Sequence, residues 1–218
     1  MKVVEQEQVV RVFAAGVVLE GNLVVPAGAH GIVIFAHGSG SSRHSPRNRY
    51  VADYLQHQRL GTLLIDLLTP NEEQIDLRTR HLRFDIDLLA DRLAGAAEWV
   101  SGNPDTQGLT IGYFGASTGA ASALVAAAQK SQKIGAIVSR GGRPDLAGSS
   151  LAHVKAPTLL IVGGADEPVI GLNEDAFRQL RVEKRMEIIP GATHLFEEPG
   201  ALEQVAKLAG DWFARTLG

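Results

Sequence analysis

The chain has no cysteine among its 218 residues. A disulfide framework, a thiolate metal site and a cysteine nucleophile are therefore excluded. No apolar run approaches the roughly 20 residues of a membrane-spanning helix, and the first residues lack the apolar core of a signal peptide. The formal net charge is only −3, which argues against a nucleic-acid or anionic-membrane partner. We therefore expect a cytoplasmic protein with no nucleic-acid, membrane, metal or cofactor dependence.

Hydrophobic residues make up 45% of the chain and charged residues 21%, as in an ordinary globular protein. At this length we expect residues 1–218 to form one domain, as a monomer or a homodimer. Alternating polar and apolar residues predict an antiparallel strand pair near the start. Continuous apolar runs, typical of strands buried on both faces, then alternate with helical patterns. The sequence thus predicts an α/β fold whose mostly parallel sheet has about 7–8 strands and helices on both faces.

The predicted elements cover most of the chain. Strands are expected at 9–14, 16–25, 31–36, 61–66, 109–115, 134–139, 157–164 and 185–189, and helices at 50–58, 81–101, 117–130, 171–182 and 199–217. Residues 67–80 are polar with weak periodicity, so we expect a surface excursion that could serve as a partial lid. The connection from residue 139 to residue 157 is short, which predicts that no large cap domain is inserted there.

A glycine-flanked serine lies between a predicted strand and a predicted helix. Residues 115–119 read Gly-Ala-Ser-Thr-Gly, which fits the G-x-S-x-G nucleophile elbow. A strand that reverses into a helix at one residue forces Ser117 into a strained backbone conformation with its oxygen projecting above the sheet. The neighbouring backbone then leaves no room for side chains at Gly115 and Gly119. Ser117 is therefore the predicted nucleophile.

A serine nucleophile needs a base and a group that orients this base. In an α/β-hydrolase the chain order is serine, then acid, then histidine. Asp166 follows the strand at 157–164, and His194 lies in the loop after the strand at 185–189, so both belong at the carboxyl edge of the sheet. His153 also follows the serine, but it precedes a strand and belongs at the opposite edge. We therefore predict a Ser117–His194–Asp166 triad, with Glu167 as the alternative acid.

Two backbone N–H groups are predicted to form an oxyanion hole. One belongs to Thr118, the residue after the nucleophile, and the other to Ser39 in the glycine-rich loop after the strand at 31–36. Gly38 and Gly40, on either side of Ser39, let a substrate approach the backbone and are candidate substrate-binding residues.

These motifs resemble the α/β-hydrolase superfamily, and its compact dienelactone-hydrolase-like branch in particular. The resemblance rests on residues 37–40 (HGSG), 115–119 (GASTG), 164–169 (GADEPV) and 191–194 (GATH), and extends from residue 31 to the final helix. Dienelactone hydrolases carry a cysteine nucleophile, whereas this chain has serine there. The resemblance therefore implies a serine esterase that cleaves small carboxylic esters or lactones through an acyl-enzyme.

Three other interpretations use the same residues. The triad could transfer an acyl group to an acceptor other than water, as in acyltransferases and perhydrolases, or the fold could serve as a non-catalytic ligand-binding module. The loop at 37–43 also resembles a dinucleotide-binding turn, but Arg43 stands where that motif requires glycine.

Arg43 and Arg140 are candidate contacts for an anionic substrate group, although surface arginines more often pair with nearby acids.

Overall fold

The computed structural model describes residues 6–129 and 133–218. Its centre is an eight-stranded sheet with the order β1-β2-β4-β3-β5-β6-β7-β8. The strands are β1 Gln8–Ala14, β2 Val17–Val24, β3 Gly31–Ala36, β4 Leu60–Ile65, β5 Thr110–Ala116, β6 Ile134–Arg140, β7 Thr158–Gly163 and β8 Lys184–Ile189. β2 pairs antiparallel with β1 and β4, and all other pairs are parallel. The predicted α/β-hydrolase fold with about 7–8 strands is confirmed.

The central strands are buried because helices cover both faces of the sheet. Every residue of β3, β4 and β7 is buried, as the continuous apolar runs predict. The helices are α1 Pro46–His57, α2 Pro70–Thr79, α3 Ile86–Gly102, α4 Thr118–Gln129, α5 Glu167–Gln179 and α6 Ala201–Leu217. Buried side chains of α3, α4 and α5 share one apolar cluster, whereas those of α1 and α6 share the cluster on the other face. Lys130, the last residue of the helix predicted at 117–130, lies outside the described residues.

The segment at 67–80, expected to be a surface excursion, contains helix α2, which the sequence did not predict. Thr69 caps this helix: its side chain accepts the backbone N–H of Glu72, and the Glu72 carboxylate accepts the backbone N–H of Thr69. This reciprocal capping box, with Pro70 as the first helical residue, stabilises a helix whose apolar periodicity is weak. Among the described residues, no helix is both long and apolar enough to cross a membrane.

Helix α2 is fastened to the chain that follows it. Asp76, only 1% exposed, accepts hydrogen bonds from the backbone of Leu82 and from the backbone and side chain of Arg83. Arg92 of α3 pairs with Glu72 at 2.8 Å. The segment from 70 to 84 is therefore anchored over the sheet edge. The link between β6 and β7 contains only a 3-10 segment, Pro144–His153, so no large cap domain is inserted there, as predicted.

Candidate active site

Ser117 forms the turn between β5 and α4 and has the strained backbone that the elbow motif predicts. Its φ is +51°, in the left-handed region that residues other than glycine rarely adopt. A Cβ on Gly115 would lie 2.4 Å from Cα of Ala120, and a Cβ on Gly119 would lie 2.2 Å from the carbonyl oxygen of Ala36. Neither position can therefore carry a side chain, which confirms the expectation for both glycines.

The backbone of Ser117 is held on both sides by the residues after β6. Its N–H donates to the carbonyl of Arg140 at 3.3 Å, and its carbonyl accepts the N–H of Arg143 at 3.0 Å. Ser117 remains partly exposed at the N-terminus of α4, where unpaired N–H groups and the helix dipole favour negative charge. These contacts hold the strained turn in place.

Asp166 and His194 form a hydrogen-bonded pair at the carboxyl edge of the sheet. Asp166 follows β7, His194 follows β8, and Oδ2 of Asp166 lies 2.7 Å from Nδ1 of His194. A carboxylate oxygen can only accept, so Nδ1 carries the hydrogen, and in the neutral ring Nε2 is left as a base. The Asp166 side chain is 13% exposed and that of His194 is 38% exposed. The acid is therefore sheltered while the imidazole remains accessible.

The turn after β6 contacts both Ser117 and the loop that contains His194. The backbone carbonyl of Arg140 accepts the N–H of Ser117. A Cβ on the next residue, Gly141, would lie 3.0 Å from the carbonyl oxygen of His194 and 3.6 Å from its Nδ1. Gly141 has a φ of +50°. One tight turn thus touches both loops, and the structure brings Ser117, Asp166 and His194 to the same edge of the sheet.

The loop after β3 lies directly against Ser117. A Cβ on Gly38 would be 2.9 Å from Cβ of Ser117, so only glycine allows this approach. The backbone N–H of Ser39 donates to Oγ1 of Thr118 at 3.1 Å. Both predicted oxyanion residues therefore lie side by side. The motif predicted a role only for the backbone of Thr118; the contact of its hydroxyl was not predicted, although a threonine immediately after the serine was visible in the sequence.

His37 fixes the peptide unit between Gly38 and Ser39. Its Nδ1 lies 3.0 Å from the Gly38 carbonyl oxygen, which can only accept, so this nitrogen donates. On the other side of the ring, Nε2 accepts the backbone N–H of Leu67 at 3.4 Å. Because the Gly38 carbonyl and the Ser39 N–H belong to one peptide plane, holding the carbonyl also directs the N–H toward Thr118.

A cavity of about 100 Å³ opens beside the predicted oxyanion residues. Apolar side chains from the β4–α2 connection, α2 and α3 line it together with polar groups of the β3–α1 loop; among these residues are Leu67, Leu68, Leu77, Leu89, Ser39, Gly40, Arg83 and Thr118. Pockets for drug-sized ligands are usually three or more times larger. Helix α2 thus forms one wall, in line with its predicted role as a partial lid.

Internal partners occupy the guanidinium group of Arg43. It bonds to Asp66 through Nη1, to Glu20 Oε2 at 2.7 Å through Nη2 and to Asn22 Oδ1 at 2.9 Å through Nε. These contacts join the β3–α1 loop to β2 and to the end of β4. This use of all three nitrogens argues against the predicted substrate contact by Arg43 and gives the residue a structural role.

Arg140 has a different environment, because no carboxylate pairs with it among the described residues. Its side chain is buried, Nη2 donates to Oδ1 of Asn48 at 3.4 Å, and the guanidinium lies 5.9 Å from the ring centre of Phe196. Burial, together with the nearby charge of Arg47, lowers the pKa of Arg140 to about 10. Arg140 remains charged at neutral pH. The part of the chain that the structure describes holds no acidic or histidine cluster suited to a metal ion.

Comparison with known proteins agrees with this geometry. The family model of the dienelactone hydrolase family matches residues 51–217. The crystal structure of a dienelactone hydrolase from Anabaena variabilis is 67% identical, with a TM-score of 0.96 and coverage of 98% of this chain and 99% of that chain. Est1E from Butyrivibrio proteoclasticus has the same fold at 16% identity, with a TM-score of 0.78 and coverage of 95% and 98%.

A longer relative carries a different name. A Mycobacterium tuberculosis protein provisionally named a phosphoribosyl transferase is 58% identical over 208 residues, which are 95% of this chain and 46% of that protein. The chain therefore spans about half the length of this relative. The fold, the family match and the arrangement at the sheet edge lead to one conclusion: the chain is a hydrolase-fold protein that belongs to the dienelactone hydrolase family.

Proposed function

We propose that this protein is a serine hydrolase that cleaves small carboxylic esters or lactones through an acyl-enzyme. The observation that carries the proposal is the 2.7 Å contact between Asp166 and His194 at the sheet edge where Ser117 has a strained backbone. A base oriented by a carboxylate, at the same sheet edge as a partly exposed serine, supports nucleophilic acyl transfer.

Each residue has a chemical role in this proposal. Oγ of Ser117 attacks the carbonyl carbon while Nε2 of His194 takes the hydroxyl proton, and Asp166 stabilises the resulting imidazolium. The tetrahedral oxyanion accepts hydrogen bonds from the backbone of Thr118 and Ser39. When the carbonyl re-forms, the bond to the alcohol oxygen breaks and His194 returns the proton to it. Water then attacks the acyl-enzyme by the same steps and releases the acid.

The Thr118 hydroxyl holds the second oxyanion donor in place. Oγ1 accepts the N–H of Ser39, and this hydroxyl keeps its own hydrogen for a further acceptor. We infer that the Ser39 N–H is shared between Oγ1 and the oxyanion as charge develops. Thr118 thus aligns one donor with its side chain and supplies another from its backbone.

The size of the cavity beside Ser39 and Thr118 supports a small substrate. A cavity of about 100 Å³ that is lined by several leucine side chains suits a short acyl or alcohol group. The phosphoribosyl transferase name belongs to a protein about twice as long, and we propose that it describes the half that this chain does not match. A small ester or lactone is therefore the proposed substrate of this domain.

Steady-state and burst hydrolysis of 4-nitrophenyl acetate and butyrate tests the proposal. The wild type should turn over with a burst of 4-nitrophenol, and Ser117→Ala should lose both, because no acyl-enzyme can form. Ser149→Ala is a matched control, since Ser149 is exposed in the link between β6 and β7, does not line the cavity and should retain turnover. Equal slow turnover by wild type and Ser117→Ala would contradict the proposal and favour a non-catalytic binding module. Faster product release on adding alcohols or hydrogen peroxide would indicate acyl transfer instead of hydrolysis.

A further inference from the structure

The N-terminus of helix α1 collects positive charge without an acidic residue in its first turn. The helix begins at Pro46, and Arg47 and Arg49 follow where acidic side chains are normally favoured. Asn48, also in this turn, contacts the buried Arg140. We refer to Arg47, Asn48 and Arg140 as the α1 cationic cluster. The positive end of the helix dipole, the guanidinium groups of Arg47 and Arg140 and the side-chain amide of Asn48 all favour an anion.

The environment of Arg140 is the strongest indication of an anion-binding site. Only 7% of the residue is exposed, and its Nε and Nη1 atoms are buried with no partner among the described residues. A buried guanidinium without a counter-charge is costly. Arg92, the other buried arginine, also has two unpartnered nitrogens, but its Nη2 meets the Glu72 carboxylate at 2.8 Å. Arg140 has only a neutral amide and an aromatic ring.

The outer side of the cluster is closed by one exposed ion pair. Nη1 of Arg47 lies 2.9 Å from Oε1 of Glu197, and these side chains are 30% and 63% exposed. The Nε atom of Arg47 is buried and has no partner among the described residues. Because exposed ion pairs contribute little stability, an incoming anion could displace the Glu197 carboxylate from Arg47 at small cost.

We propose that the α1 cationic cluster binds a small oxyanion, a carboxylate or a phosphate group, between Arg47 and Arg140. Such a group accepts several N–H donors from a guanidinium and is favoured at a helix N-terminus. The carbonyl of Arg140 accepts the N–H of Ser117, so the cluster adjoins the candidate active site. The anion is either a group carried by the substrate or a free inorganic ion. Binding itself does not depend on the proposed hydrolase activity.

Thermal unfolding in sodium phosphate, against sodium chloride of equal ionic strength, tests the site directly. At ten times its dissociation constant, phosphate should raise the wild-type Tm by about 3–6 °C. Arg140→Gln should lose this response, whereas Arg92→Gln, a matched buried arginine, should keep it. Glu197→Gln removes the competing carboxylate from an exposed position, and should reach the same shift at a several-fold lower phosphate concentration.

The result that overturns the proposal is equally specific. A wild type whose Tm does not respond to phosphate, or an equal response in wild type and Arg140→Gln, would exclude the site whether or not esters are hydrolysed. If Arg140→Gln does not fold, Glu197→Gln decides the question. A Glu197→Gln variant that needs the same phosphate concentration as the wild type, or a higher one, for the same Tm shift contradicts the proposal.

Wild-type kinetics then identify the source of the anion. Phosphate should raise KM for mono(4-nitrophenyl) glutarate, an ester with a free carboxylate, more than KM for 4-nitrophenyl acetate if the cluster receives a substrate group. An equal effect on both esters, or none, together with the Tm shift, identifies a free inorganic ion as the ligand.

Discussion

The strained backbone of Ser117 predicts that this position is more stable as glycine than as alanine. At a φ of +51°, a residue with a Cβ costs about 1–2 kcal/mol relative to glycine in the folded state. Glycine also has a more flexible unfolded chain, which offsets about 0.4–1 kcal/mol of this gain. We therefore expect Ser117→Gly to exceed Ser117→Ala by about 0.5–1 kcal/mol in the free energy of unfolding. This corresponds to about 1–4 °C in Tm for a chain of this size.

Both variants lack the hydroxyl, so the comparison isolates the backbone from the chemistry. The assay is urea and thermal unfolding followed by circular dichroism. Ser122 provides a matched control because it lies inside α4, where glycine should be less stable than alanine by about 1 kcal/mol. The reasoning is refuted if Ser117→Gly is as stable as Ser117→Ala or less stable, while the Ser122 pair behaves as expected.

Three further substitutions test other parts of the account. Asp166→Asn should lower kcat about 10³–10⁴-fold in ester hydrolysis, because the amide no longer fixes the tautomer or stabilises the cation of His194. Thr118→Val, which replaces the hydroxyl with a methyl group, should lower kcat about 10–100-fold with little change in KM, and Thr118→Ser should restore most of it. Asp76→Asn should lower the free energy of unfolding by about 2–4 kcal/mol at pH 7 in urea titrations, because Arg83 loses its carboxylate.

The Asp76 substitution also has a predicted pH dependence. Burial acts to raise the pKa of Asp76, but hydrogen bonds from Arg83 and Leu82 outweigh it and leave the pKa below its usual 3.8. Stability from a lowered carboxyl pKa is fully present above the unfolded-state pKa and is lost as pH falls through the folded-state pKa. The difference between wild type and Asp76→Asn should therefore be constant from pH 7 to 5 and shrink below about pH 4. A constant difference down to pH 2 would contradict the assignment.

Different outcomes would contradict the predictions for Asp166 and Thr118. An Asp166→Asn enzyme with kcat within tenfold of the wild type would mean that the carboxylate does not orient the base. Loss of activity in Thr118→Ser equal to that in Thr118→Val would mean that packing, not the hydroxyl, is what matters at this position.

Sequence patterns predicted those features that depend on local chemistry. The elbow glycines and the strands were predictable because close backbone approach and burial on both faces each leave a direct compositional signature. Helix α2 was missed because its stability comes from the capping box at Thr69 and Glu72 and from anchoring through Asp76, not from apolar periodicity. The Thr69-Pro70 start and the glutamate three residues after Thr69 were visible, and would have identified this helix.

The environment of the arginines was not predictable, because it depends on contacts between distant segments. Arg43 meets Asp66 and Glu20 only after β2 and β4 pair, and Arg140 contacts Asn48 and Phe196, which are distant from it in the sequence. The sequence places both residues in loops near the same edge and gives no means to separate them. The contact between Ser39 and Thr118 likewise joins residues that are 79 positions apart.

The central claim is that Ser117 is an activated nucleophile, and labelling with a fluorophosphonate tests it most directly. Attack by Oγ on phosphorus expels fluoride and leaves a stable adduct, which intact-mass and peptide mass spectrometry can locate. We predict one adduct per chain, on the peptide that contains Ser117. It should be absent from Ser117→Ala and formed much more slowly by His194→Gln. An unlabelled wild type, or equal labelling of Ser117→Ala, would contradict the account.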